Sequence, residues 1–300
     1  MKAIETYGIS KSFKRTKALS DINLSVEEGE IFGLIGPDGA GKTSLFRILT
    51  TLSLPDEGRA TVCGLDIVQD YRSIRSRIGY MPGHFALYQD LSVEENLNFY
   101  ATVFGTTVAQ GYDTIKDIYC QLEPFRTRRA GALSGGMKQK LALCCALVHK
   151  PRALFLDEPT TGVDAVSRKE FWAMLYRIRE TGVSVFVSTP YMDEASLCDR
   201  IALMSEGRII GGGSPSQICS SYPLKLYSVS GENLFPVLKL LRQMEGVQSC
   251  NSFGSSCHVA VENGGPSARD LSRLLSEKGY KDMQIKEISA GIEDCFMRLS

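Results

Sequence analysis

The chain has 300 residues, 43% of them hydrophobic, and its 34 basic and 34 acidic side chains cancel. That length supports a sizeable core and suggests one large domain with a smaller one beside it, while the balanced charge argues against a nucleic-acid-binding surface. No apolar stretch reaches the roughly eighteen residues of a membrane span, and the start "MKAIETYGISKSF" is too polar for a signal peptide, so the chain is expected in the cytoplasm. Nine scattered cysteines without a CxxC pair, and only three histidines, read as reduced thiols rather than zinc ligands.

In chain order, residues 1–30 alternate apolar and polar, as short antiparallel strands do. "IFGLIG" is a short apolar run suited to a buried strand, and it breaks into a Gly-rich turn before the helix "KTSLFRILTTL". "PDEG" is a turn and "RATVCGLDI" a further strand. Residues 85–150 read as mainly helical; in "SVEENLNFYATVF" Ser92 is an N-cap and Glu95 completes a capping box. "ALFLD" and "VSVFV" are buried strands flanking the helix "AVSRKEFWAMLYRIRE", an alternation that predicts a largely parallel α/β core. The Gly/Ser/Pro-rich stretch 211–223 marks a domain edge, which sets the expected boundary between 1–222 and 223–300. Beyond it, "LKLYSVS", "NLFPVLKLLRQMEG", "HVAVE", "ARDLSRLLSEKG" and "MQIKEISA" predict a small α+β unit of ferredoxin-like type.

The turn after the first buried strand reads "GPDGAGKT", Gly36 to Thr43, and fits G-x-x-x-x-G-K-[ST]. Glycines let backbone N–H groups curl around phosphate oxygens, Lys42 sets an ammonium on the β- and γ-phosphates, and Thr43 offers Mg²⁺ a hydroxyl. The following helix points its positive end at the anion. A strand before and a helix after are the context this pattern requires. The loop Gly36, Pro37, Asp38, Gly39, Ala40, Gly41, Lys42 and Thr43, with Ser44 behind it, is therefore expected to bind ATP with Mg²⁺. "ALFLDEP" ends a strand in two acids: Asp157 suits the metal and Glu158 suits an attacking water. "LSGGMKQK" opens a helix with Ser134, Gly135 and Gly136. That is either a plain serine cap or a second anion site, and a second site serves one γ-phosphate only if two chains pair head to tail.

With "GPDGAGKT", "LSGGMKQK", "ALFLDEP" and "TTGVD" in this order, the chain resembles the ATPase subunit of an ABC transporter over about residues 1–220. It is most similar to the drug-export (ABC-2 type) subfamily, whose ATPases carry a C-terminal extension ending much like "GIEDCFMRLS". The resemblance implies a P-loop NTPase core with an antiparallel β subdomain and a helical subdomain at about 85–150, followed by the small α+β extension. It implies an ATPase coupled to transport, peripheral on the inner face of the membrane, with a multi-span permease and a second ATPase subunit as partners and neither nucleic acid nor zinc. It makes Asp164 a cross-dimer contact and Phe13 the aromatic under the adenine, with Tyr7 as the other choice and a core role for Phe13 as the plain alternative. The permease is expected near "HFALYQDLSVEENL", where Phe85, Leu87 and Tyr88 either line a notch or belong to the core of the helical region.

The chain departs from the family pattern at three places. Gly83 stands where a Gln reaches Mg²⁺ and the attacking water, with His84 one residue out of register. Pro190 stands where a His contacts the γ-phosphate. Asp38 stands where Asn is usual. Pro190 has neither a side-chain donor nor an N–H. The site on this chain's own phosphate loop is therefore expected to hold ATP and hydrolyse it slowly. An intact "LSGG" favours pairing with a different, complete ATPase. The alternatives are a soluble ABC-type ATPase acting on ribosomes or DNA, and a nucleotide sensor.

Overall fold

The computed structural model describes residues 1–280 and 282–300 and divides into two compact units, Met1–Pro215 and Ser216–Ser300. In chain order the first unit holds β1 (Lys2–Phe13), β2 (Thr16–Glu27), β3 (Ile31–Ile35), α1 (Lys42–Leu49), β4 (Glu57–Val62), β5 (Leu65–Asp66), α2 (Tyr71–Arg75) and β6 (Ile78–Met81). It continues with α3 (Val93–Val103), α4 (Val108–Tyr119), α5 (Gly135–Leu147), β7 (Ala153–Asp157), α6 (Ala165–Glu180), β8 (Ser184–Thr189), β9 (Arg200–Ser205) and β10 (Arg208–Gly213). Next comes α7 (Pro215–Ser220), at the division, and then β11 (Lys225–Ser230), α8 (Leu234–Arg242), β12 (Val247–Phe253), β13 (Ser256–Val261), α9 (Ala268–Glu277), β14 (Gln284–Ile288) and α10 (Ile292–Leu299).

Two sheets build the first unit. β2-β1-β4-β5 is antiparallel, and β10-β9-β3-β8-β7-β6 is parallel from β9 to β6. β3, β7 and β8 are buried along their whole length, which is why their sequences are continuous apolar runs rather than alternating ones. Phe46 of α1 meets Phe186 of β8 at 4.7 Å and Phe155 of β7 at 5.9 Å between ring centres. These contacts seat α1 on the sheet and hold its first turn over the strand ends. The expected strand "RATVCGLDI" is broken into β4 and β5, because Cys63 and Gly64 both take positive φ and turn the chain. β9 and β10, and the short helix α7 within the Gly/Ser/Pro stretch, were not anticipated.

The helical region starts at α3 with the Ser92–Glu95 capping box, and α4 opens with a second box, Thr107–Gln110. Buried Asn96 ties the preceding loop down. Its two Nδ2 hydrogens are shared among the carbonyls of Tyr88, Leu91 and Ser92 at 2.9–3.2 Å, and its Oδ1 accepts from Tyr88 N–H. The second unit has the sheet β12-β13-β11-β14, antiparallel throughout, under α8 and α9. This order follows from two split β-α-β units and is the ferredoxin-like arrangement. His258 Nδ1 lies 2.8 Å from Asp294 Oδ1, which fastens α10 to β13.

Candidate nucleotide site

Four neighbouring parallel strands deliver the key residues to one edge of the sheet. β3 ends in the phosphate loop, β8 in Ser188–Thr189 before Pro190, β7 in Asp157 before Glu158, and β6 in Met81 just ahead of Gly83. The carboxyl edge of parallel strands is where such folds bind ligands.

The loop's path demands glycine. A Cβ on Gly36 would sit 2.2 Å from the Met204 carbonyl oxygen; Gly41 has a φ of 108° and a Cβ position 2.5 Å from the Ala18 carbonyl oxygen. α1 has no side-chain cap, so the N–H groups of its first turn, Lys42 to Ser44, remain free to meet an anion. Pro37, Asp38 and Gly39 form the exposed tip, while Ala40 is buried and Thr43 exposed. Lys42 is only 3% exposed. Its Nζ donates to the carbonyls of Gly36 at 2.8 Å and Pro37 at 3.0 Å, and lies 3.2 Å from Glu158 Oε1. The ammonium is thus gathered at the loop's base beside the acid from β7.

Asp157 is 2% exposed and pairs in register with Ser188. Ser188 Oγ donates to Asp157 Oδ1 at 2.5 Å and accepts the Glu158 N–H at 3.1 Å, so one hydroxyl orients both acids. That leaves Oδ2, on the side of Gly83, for a ligand: a Cβ on Gly83 would stand 3.8 Å from it and 3.2 Å from the Asp157 carbonyl oxygen. Buried carboxylate and exposed hydroxyl are hard oxygen donors, so Asp157 and Thr43 fit Mg²⁺. Glu158 has a φ of 50°. For a residue with a Cβ this left-handed backbone costs about 1–2 kcal/mol, offset by the N–H bonds to Ser188 O at 3.0 Å and Oγ. The Glu158 side chain faces Lys42. Pro190 follows Thr189, whose carbonyl accepts the Gly36 N–H at 3.3 Å. Position 190 therefore adjoins the phosphate loop, and position 83 adjoins Asp157. His84 instead lines an apolar cleft between β6 and the helical region.

The remaining expected residues form a second group. Ser134 caps α5 through the Met137 N–H, and Asp164 caps α6 through the Val166 and Ser167 N–H groups at 3.1 and 3.0 Å. These N–H groups hold the Asp164 carboxyl below its ordinary pKa. A Cβ on Gly136 would meet Ser167 Oγ at 2.8 Å, and one on Gly135 would stand 3.7 Å from the Gly162 carbonyl oxygen. Ser134, Gly135 and Asp164 thus share one surface, with Ser134 and Gly135 exposed. Phe13, also exposed, stands at the β1–β2 turn, paired with Thr16 and close in sequence to Ala18 against the loop. Tyr7 lies farther along β1, its ring under Arg59. The apolar cleft, about 530 Å³, is walled by Tyr80, Phe85, Leu87, Tyr100, Phe104 and His149. Tyr88 is outside it, exposed and edge-on to Phe99. Sequence reasoning missed Ser188, Thr160 and Glu194, whose only signal was a polar residue at the end of, or just beyond, an apolar strand.

The model of the ABC transporter family matches residues 19–161. The probable multidrug ABC transporter ATP-binding protein YbhF of Escherichia coli K12 is 44% identical over 94% of this chain, which spans about half (49%) of that protein's length. The Nod factor export ATP-binding protein I of Paraburkholderia xenovorans LB400 is 37% identical, with 99% of this chain and 97% of that protein aligned. A solved ATP-binding subunit of an ABC transporter superposes with a TM-score of 0.67 at 25% identity, covering 73% of this chain and 93% of that one. With relatives more than 30% identical aligned along nearly its whole length, the chain belongs to the ATP-binding proteins of ABC transporters.

Proposed function

We propose that this chain is the ATP-binding subunit of an ABC exporter and that its own site hydrolyses ATP slowly. The observation that carries the reading is a glycine-walled phosphate loop whose Lys42 ammonium lies 3.2 Å from Glu158. A triphosphate entering the loop competes for that ammonium and frees the Glu158 carboxylate to orient and polarise the attacking water. Thr43 and Asp157 would hold Mg²⁺, which would supply positive charge against the triphosphate. Phe13 supplies an aromatic face to the adenine.

Two side chains around the γ-phosphate and the attacking water are lacking. Gly83 has no side chain to extend past Asp157 Oδ2, and Pro190 offers no donor beside the loop. A charge-assisted hydrogen bond contributes about 1.5–3 kcal/mol to binding, so ATP stays bound by the rest. Each donor aimed at transition-state charge is worth about 10²–10³ in rate, so turnover suffers most. Ser134, Gly135, Gly136 and Asp164 then serve a nucleotide held by a second, complete ATPase in a head-to-tail pair. A multi-span permease docks in the apolar cleft, which places the chain on the inner face of the membrane; among the described residues no helix is long and apolar enough to cross it. Gly83 and Pro190 also favour a second reading, a nucleotide sensor, which differs in giving no phosphate release even with a partner.

The test is a calorimetric titration with Mg-ATP. Lys42→Ala is expected to weaken binding at least ~100-fold, since the ammonium contacts two phosphates. Unchanged affinity would remove the site assignment.

A further inference from the structure

Glu194 lies outside the expected machinery, four residues beyond Pro190, and is only 1% exposed. A carboxylate this deep must have its oxygens satisfied. Thr160 Oγ1 donates to Oε1 at 2.8 Å, and Thr189 Oγ1 donates to Oε2 at 2.6 Å. Thr189 Oγ1 in turn accepts the Tyr191 N–H at 3.1 Å. Arg168 of α6 brings Nε to 3.6 Å from Oε1, pairs through Nη2 with Asp193 at 2.6 Å, and lies over the Tyr191 ring at 4.8 Å.

Each partner of Glu194 adjoins a part of the nucleotide machinery. Thr189 is the residue whose carbonyl takes the Gly36 N–H, at the first glycine of the phosphate loop. Thr160 is two residues past Glu158, in a turn closed by Thr161 N–H to Glu158 O at 3.2 Å and Val163 N–H to Thr160 O at 3.2 Å. That turn runs directly into Asp164, the cap of α6. Arg168 stands one helical turn beyond Asp164, and its N–H bonds back to the Asp164 carbonyl at 2.9 Å.

We propose that Glu194 is a positioning residue for hydrolysis: its buried carboxylate braces the Glu158–Asp164 turn against the strand end at the phosphate loop. The water-polarising acid and the partner-facing aspartate thereby hold one geometry relative to the bound γ-phosphate. The uncapped first turn of α1 and the Lys42 bonds to the Gly36 and Pro37 carbonyls lie outside the brace, so nucleotide binding survives its loss while the chemical step does not. The inference rests on the nucleotide-binding reading above.

The experiment compares Glu194→Gln, Thr160→Val, Thr189→Val and the double variant Glu194→Gln/Thr160→Val by single-turnover phosphate release, with the purified chain in excess over labelled Mg-ATP. Calorimetric Mg-ATP affinity and Tm are measured on the same samples. Glu194→Gln is expected to lower the hydrolysis rate at least ~10-fold with Mg-ATP affinity within about threefold of the wild type. Thr160→Val is expected to reproduce most of that loss, and the double variant to be no worse than Glu194→Gln alone, as for groups acting as one unit. Thr160→Val is nearly isosteric and serves where Glu194→Gln fails to fold. Rates per folded molecule equal to wild type in Glu194→Gln or Thr160→Val would overturn the inference, as would additive losses in the double variant. If the wild-type chain bound no Mg-ATP, the nucleotide reading itself would fail, an outcome distinct from bound ATP with unaltered rates.

Discussion

The strand-edge group and the capping group handle the same kinds of residue in opposite ways. Lys42 and Asp157 are 3% and 2% exposed, and each is tied by side-chain contacts to another strand or loop. Ser134 and Gly135 are exposed, and Ser134 and Asp164 satisfy themselves on the N–H groups of the helices they cap. The first group has its polar contacts internal to the chain. The second is built on short local contacts, and on the proposed reading it is half of a site completed by another molecule. The three positions where the family pattern fails, Asp38, Gly83 and Pro190, all belong to the first group, so on the proposed reading the exposed group matters more to turnover.

The largest effect should come from spoiling that exposed half. Ser134→Arg is expected to lower steady-state phosphate release from the complex with the partner ATPase by about 10²–10³. Glu158→Gln in this chain should cost less, because it removes a base from a site already slow. The reverse order would collapse the contrast and leave an ordinary symmetric motor. A smaller gain should follow from restoring the pocket. Gly83→Gln with Pro190→His is expected to raise phosphate release by this chain alone about tenfold. The Gln side chain has Asp157 Oδ2 within reach, but its Cβ must displace the Asp157 carbonyl slightly from 3.2 Å. No gain with folding retained would argue that Asp38 or the brace, rather than the missing side chains, limits the rate.

The smallest effect is on stability. The N–H groups of Ser167 and Val166 lower the Asp164 pKa from its ordinary 3.8. A carboxyl depressed in the folded state stabilises fully above the unfolded value, and that contribution is lost as pH falls through the lower folded value. A wild-type Tm that falls more steeply than that of Asp164→Asn below about pH 4 is the expected outcome. Parallel curves would show that the cap adds nothing.

Much of this molecule is legible residue by residue. The continuous apolar runs of β3, β7 and β8, the Ser92–Glu95 box, the phosphate-loop glycines and the restarted strand-helix pattern after residue 223 all rest on interactions a few residues apart. Backbone φ limits, capping and the periodicity of burial act at that range, so sequence alone carries them. The tertiary structure decided what depends on strand order. It placed β6 beside β7, which brings Gly83 against Asp157, and β7 beside β8, which gives Ser188 both acids to orient. It separated Tyr88 from the cleft that Phe85 and Leu87 line. It also turned Glu194, an unremarked acid in a short polar segment, into a buried brace between two threonines far apart in the chain. A hydroxyl or carboxylate carries no local mark of a partner that only strand pairing brings within 3 Å. Periodicity reports which side of an element is buried, and hydrogen-bond geometry is settled by what another element puts there.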